Sequence, residues 1–223
     1  MKILALDTST EYCSVALWAD AAVHESMVHA GQNHSAIVLG MVDRVLAEGG
    51  IGLTALDGIA YGQGPGSFTG LRIACAVAQG LAFAEDLPLA GVGTLHAMAV
   101  ACGAERVVCC LDARMKEIYH AAYLRNGTIC EEASAPLVCP PAAAPVLSGT
   151  GWTGCGSGFA AYGDILRQRY GAAMTAVDAT IYPHARDIAC IAASLFAAGQ
   201  GVRADEAAPL YVRDRVALKT AER

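Results

Sequence analysis

Apolar and polar positions along the first thirty residues predict three strands. Ile3-Leu4-Ala5-Leu6 is an unbroken apolar run closing on Asp7, as expected of a strand covered on both faces. Tyr12 to Ala19 alternates, Asp20-Ala21 makes a turn, and Val23 to Val28 reads as the third strand. The period then changes. His34 to Glu48 has helical spacing and stops at Gly49-Gly50. Gly58 to Tyr61 is a short strand leading into Gly62-Gln63-Gly64-Pro65-Gly66, and Ser67 to Ala84 is a long apolar helix with Ser67 as its N-cap. Leu89 to Val92 is a further short strand.

The pattern restarts at Arg106. Arg106 to Leu111 is an apolar strand ending at Asp112, Glu117 to Leu124 alternates, and Arg125-Asn126-Gly127-Thr128 is a hairpin turn. Both halves read strand, Asp, strand, turn, strand. This is a weak internal repeat of two α/β halves, although chance likeness of two strand–turn units accounts for it as well. Ala135 to Pro145 is expected to be irregular, Val146 to Ser148 strand-like, and Gly149 to Gly158, with five glycines, a flexible loop. Phe159 to Tyr170 and Ile188 to Ala198 look helical, and a tail carrying Arg213, Arg215, Lys219 and Arg223 reads as a solvated terminal helix or fray, with a phosphate-contacting patch as the lesser alternative.

Composition narrows the function classes. With 223 residues, 55% hydrophobic and 16% charged, the chain buries a real core as one domain or two small ones. A net charge of −6 leaves any RNA role to a local patch or a basic partner. No apolar run reaches membrane-spanning length and the N-terminus lacks a cleavable signal layout, so a cytoplasmic protein is expected. Nine cysteines without a Cys-x-x-Cys pair read as reduced core residues.

The catalytic motifs fail one by one. Two β-rich halves, each with an Asp at a strand end, resemble the actin-like ATPases, in which such acids organise metal and phosphate. Asp7 and Asp112 are suitably placed, but Thr8-Ser9-Thr10 puts no glycine after Asp7 where a phosphate would approach. The loop Gly62 to Gly66 lacks the Lys-Ser/Thr of a Walker A motif. His24, His29 and His34 share no face, His96 has no histidine three or four residues away, and Ser67 does not fit Gly-x-Ser-x-Gly. No metal, cofactor or catalytic residue is expected.

The two long helices carry more apolar surface than one core-facing stripe. Gly70, Ala74, Ala78 and Ala82 form a row of small residues at i, i+4. A chain this short has little room to bury two such helices, which predicts a helical partner interface at Ile37, Met41, Val45, Leu71, Ala74 and Ala78. The alternative is that an alanine-rich sequence simply looks apolar everywhere.

Five segments, in order and covering nearly the whole chain, resemble the TsaB (YeaZ) family. They are Ile3 to Ser9, Gly62 to Ile73, Asp112-Ala113-Arg114-Met115-Lys116-Glu117-Ile118-Tyr119, Gly156 to Tyr162, and Pro209 to Arg213. The resemblance implies an α/β, two-lobed actin-like ATPase (ASKHA, ribonuclease-H-like) fold with duplicated β-sheet/helix halves. It places the first lobe at 1–103, carrying the partner interface, and the second at 104–223, with a C-terminal helix packing back on the first. Asp7, Asp112, Gly156 and Gly158 would mark a vestigial nucleotide cleft. The implied role is a non-catalytic, activating subunit in forming threonylcarbamoyladenosine on tRNA. Its partners would be a TsaD-like catalytic subunit and a TsaE-like ATPase. Alone it would form a homodimer through first-lobe helices, and it would meet tRNA only through the complex. TsaD-like chains carry a His-x-x-x-His pair where this chain has Thr94 and Met98, so metal-dependent transfer is not expected. A metal-dependent protease and a stand-alone actin-like ATPase are the alternative readings.

Overall fold

Alternation along β1 (Lys2–Asp7) sets the layering of the first half. Leu4 and Leu6 point into one core, Ile3 and Ala5 into another, and all four are fully buried. The structure, a computed structural model, describes residues 1–20, 22–127 and 129–213. β2 (Tyr12–Ala19) and β3 (Ala22–His29) follow, then α1 (His34–Glu48), β4 (Gly58–Gly64), α2 (Phe68–Glu85), β5 (Leu89–Gly93) and α3 (Thr94–Cys102). The second half holds β6 (Arg106–Asp112), β7 (Ile118–Asn126), β8 (Ile129–Cys139), β9 (Trp152–Cys155), α4 (Ser157–Tyr170), β10 (Met174–Asp178) and α5 (Ala185–Ala197).

Each half contributes one mixed sheet, and the two sheets have the same topology. The orders are β3-β2-β1-β4-β5 and β8-β7-β6-β9-β10. In both, the first three strands pair antiparallel, and the fourth and fifth add in parallel. The repeat suggested by the two Asp-ended strands is therefore a repeat of whole sheets. β6 alternates like β1: Val107, Cys109 and Leu111 face the core shared with Leu95, Met98 and Ala99 of α3, while Val108 and Cys110 face Phe159 and Leu166 of α4.

Three expectations are corrected. Val146 to Ser148 is not a strand; the strand is Trp152–Cys155, inside the stretch expected to be a flexible loop, and it pairs with β6. Residues 135–139 are not irregular but continue β8. The Arg215 and Lys219 tail lies outside the described residues. After β10 the chain crosses back: Ala185, Ile188, Ala189 and Ala192 of α5 pack on Ile3, Ala5, Ala60 and Ala90 of the first sheet. A strap follows. Val202 and Leu89 exchange backbone hydrogen bonds at 2.8 Å, Gln79 donates to the carbonyls of Ala204 and Ala207, and the Leu210 N–H donates to the Gln63 carbonyl at 2.8 Å.

The turn after β1 docks onto the start of α2. The Ser67 N–H donates to the Ser9 carbonyl at 2.7 Å, and the Thr8 hydroxyl donates to the Gly70 carbonyl at 2.6 Å. The Ser67 hydroxyl accepts from the Gly70 N–H at 3.3 Å, the expected cap. Glycine is required for this approach. A Cβ on Gly70 would overlap the Thr8 carbonyl oxygen, and one on Gly66 would lie 2.5 Å from the Ser9 carbonyl oxygen. Gly70→Ala should therefore lower stability by about 3 kcal/mol or more, because backbone must move. Gly80→Ala, on the same helix with open space around it, should raise stability by about 0.5–1 kcal/mol. Urea unfolding of both variants checks the pair.

Candidate functional site

Two surfaces qualify: the cleft between the sheets and the outer side of α1 and α2. The cleft has a volume of about 780 Å³ and is bounded by Ser9, Thr10 and Ser67 on one side and by Asp112, Arg114 and Ser157 on the other. Asp112 is held by its neighbours: its Oδ1 accepts from the Arg114 N–H at 2.9 Å and the Tyr162 hydroxyl at 3.3 Å, and its Oδ2 pairs with the Arg114 guanidinium at 3.1 Å. Its own N–H donates to the Ser157 hydroxyl at 3.1 Å.

Asp7 is placed differently. It does not line the cleft but lies sealed beneath the turn, 1% exposed. Its Oδ1 accepts from the Ser9 N–H and hydroxyl at 3.0 and 2.8 Å. Its Oδ2 packs against Gly62, so closely that a Cβ there would overlap it, and has no hydrogen-bond partner among the described residues. Burial pushes the carboxyl up to about 6, with the Ser9 bonds and the His184 charge pulling only part-way back. The Gly156 and Gly158 backbones press on Cys110 of β6, where added Cβ atoms would meet Cys110 atoms at 2.6 and 2.8 Å. Of the four cleft residues expected, the structure brings only Asp112 to open space.

The helical residues expected at a partner interface are mostly internal. Met41, Val45, Leu71, Ala74 and Ala78 are buried in the chain's own core, and Ile37 is partly buried against it. The small-residue row of Gly70, Ala74, Ala78 and Ala82 lets α2 sit close to its own sheet. Beyond its first two turns α2 exposes Ala76, Gly80 and Phe83 on one side, the last 83% exposed, and the apolar positions α1 exposes include Leu39 and Gly40. These residues escaped the sequence reading because a helix apolar on all sides does not show which side meets the sheet.

Thr94 and Met98 are fully buried, and His96 stacks on Tyr123 with ring centroids 5.3 Å apart. Among the described residues no three His, Cys, Asp or Glu side chains are grouped to hold a metal ion. No described helix is long and apolar enough to cross a membrane. All nine cysteines are free thiols, six of them buried.

Comparison with known proteins fits this architecture. Residues 28–220 match the family model described as TsaD: tRNA N6-adenosine threonylcarbamoyltransferase. The tRNA threonylcarbamoyladenosine biosynthesis protein TsaB of Escherichia coli K12 is 40% identical, over 98% of this chain and 97% of that protein. The Haemophilus influenzae protein of the same name is 35% identical over 98% and 96%. The solved structure of YeaZ from Pseudomonas aeruginosa superposes with a TM-score of 0.88 at 40% identity, covering 94% of this chain and 99% of that one. The chain belongs to the TsaB (YeaZ) family.

Within this TsaB-family chain Asp7 does not fit a metal–nucleotide role. Its free oxygen faces Gly62 rather than the cleft, and the α2 N-terminus is already bonded to the Ser9 carbonyl. A carboxyl whose folded pKa is raised weakens the fold once it must ionise. The penalty is absent below the unfolded value of 3.8 and complete above about 6. Asp7→Asn should therefore gain on the order of 3 kcal/mol relative to the parent as pH rises from 4 to 7. Parallel denaturation curves at both pH values read that difference.

Proposed function

We propose that this chain is a non-catalytic, activating subunit in the formation of tRNA threonylcarbamoyladenosine. It pairs with a TsaD-like transferase and a TsaE-like ATPase, and with itself when alone. The observation carrying the reading is full-length similarity to TsaB proteins of two organisms, joined to an acid sealed where a metal–nucleotide enzyme needs it open. The finer assignment of the duplicated sheets to the actin-like (ASKHA) class, with lobes at 1–103 and 104–223, is part of this proposal. The repeated topology supports it. So is a cytoplasmic location, and so is indirect contact of the chain with tRNA.

The partner surface is the outer side of the helices that hold Ile37, Met41, Val45, Leu71, Ala74 and Ala78. Those buried side chains support it from within, while Ala76, Gly80 and Phe83 present it. Two exposed small residues beside a large ring allow close helix approach and supply one apolar anchor. Reconstituting tRNA modification with and without the chain tests the function: the rate should depend on the chain, and a full rate in its absence would refute the reading. Phe83→Asp should weaken co-purification with the transferase at least about tenfold and leave thermal stability unchanged. Parental affinity would place the interface elsewhere.

A further inference from the structure

The mouth of the interlobe cleft carries a side-chain arrangement that the partner reading leaves unused. On the first lobe, the Arg72 guanidinium lies 3.7 Å from the Phe68 ring centroid and 5.7 Å from that of Tyr211. Its Nε donates to the Tyr211 hydroxyl at 2.8 Å, and the two rings are 5.4 Å apart, tilted by 38°. All three groups are exposed, Tyr211 by 44%. The strap that bears Tyr211 is already tied down through Gln63 and Gln79, so the exposed cluster is not needed to hold it.

Across the cleft stands the β6–β7 hairpin. Arg114, Met115 and Lys116 have φ of 61°, 54° and 62°, three successive left-handed residues with no glycine among them. Each such residue costs on the order of 1 kcal/mol, and strain of this kind gathers at functional sites. All three side chains are exposed, Arg114 by 85%. The floor of the cleft is less hospitable to an anion. Glu11 and Asp112 line it, and Glu117 beneath the hairpin is paired with Arg213. The exposed Arg114 guanidinium, which lines the cleft while paired with Asp112, and the exposed Lys116 two positions on therefore stand on the opposite side from Phe68 and Tyr211, whose rings Arg72 joins.

We propose that this mouth holds one unpaired nucleotide of single-stranded RNA. Its base stacks on Phe68, Arg72 and Tyr211, and its phosphate meets Arg114 and Lys116. Aromatic and guanidinium planes take unstacked bases of any sequence, while cations track the backbone. The net charge of −6 disfavours a duplex grip spread over many phosphates, and 780 Å³ is ample for a nucleotide. The inference rests on the tRNA-modification reading above and adds a direct RNA contact to it.

The test is fluorescence anisotropy on the full chain with a labelled seven-nucleotide single-stranded RNA, a duplex of equal length, and free AMP and ATP. Phe68→Leu and Tyr211→Leu should each weaken single-strand binding about 5- to 100-fold. Replacing Arg114 and Lys116 together by Ala should lower the salt slope by about 1–2. Lys116→Gly should weaken binding while raising the melting temperature, which separates lost contact from lost fold. Arg44→Ala, on exposed α1 surface outside the cleft lining, should leave RNA affinity of the isolated chain unchanged. Parental affinity in the ring and cation variants, equal affinity for duplex, or capture of free nucleotide without RNA would overturn the proposal. In the reconstituted reaction the same ring variants should raise KM for tRNA. Stimulation with an unchanged KM would sink this inference alone, whereas no stimulation by the parent chain would sink the functional reading beneath it.

Discussion

The rest of the molecule depends on the seating of the β1–β2 turn against the first turn of α2. Two hydrogen bonds, Ser67 N–H to Ser9 carbonyl and Thr8 hydroxyl to Gly70 carbonyl, join a strand end to a helix start. They are possible only because positions 66 and 70 have no side chain. A helix start normally leaves amides unpaired and ready for an anion. Here the chain's own carbonyl takes one of them. The glycine-rich stretch, which at first sight suggests a phosphate cradle, is a packing device.

Several features follow from that contact. It presses the turn over Asp7, leaving a carboxyl with one oxygen against Gly62 and a pKa displaced by burial. It fixes α2 close to the sheet, with Ala74, Ala78 and Ala82 inward. The helix therefore turns Ala76, Gly80 and Phe83 outward. The same alignment sets Phe68 in the cleft wall with Arg72 stacked on its ring, and Tyr211 of the strap meets both. Sealing one potential site and presenting two other surfaces are thus consequences of one arrangement.

Much of the fold was legible in the sequence. β2 and α1 lie at their expected bounds, because alternation and helical spacing there are clean and Gly49-Gly50 supplies a stop. α3 was not, since Leu95 to Cys102 is apolar apart from His96 and shows no period; it is buried between the two sheets' cores. β9 was hidden by glycines at 151, 154 and 156 that read as a loop, and β10 is short with exposed Thr175 and Ala176. The site was less legible than the fold. Small residues at i, i+4 serve equally for packing on a partner and on one's own sheet, and the sequence does not distinguish them. Burial of Asp7 depends on the contact with Gly62 across neighbouring strands, which no local pattern encodes. Phe68, Arg72 and Tyr211 come together only when the strap folds back across 139 positions.

The central claim is that the α2 N-terminus is occupied by the chain's own turn. Native-state hydrogen exchange at the Ser67 amide measures this most directly. The account predicts that this amide exchanges only through global unfolding and that magnesium–ATP leaves its rate unchanged. Exchange at the rate of an exposed loop, or a rate altered by magnesium–ATP, would contradict it.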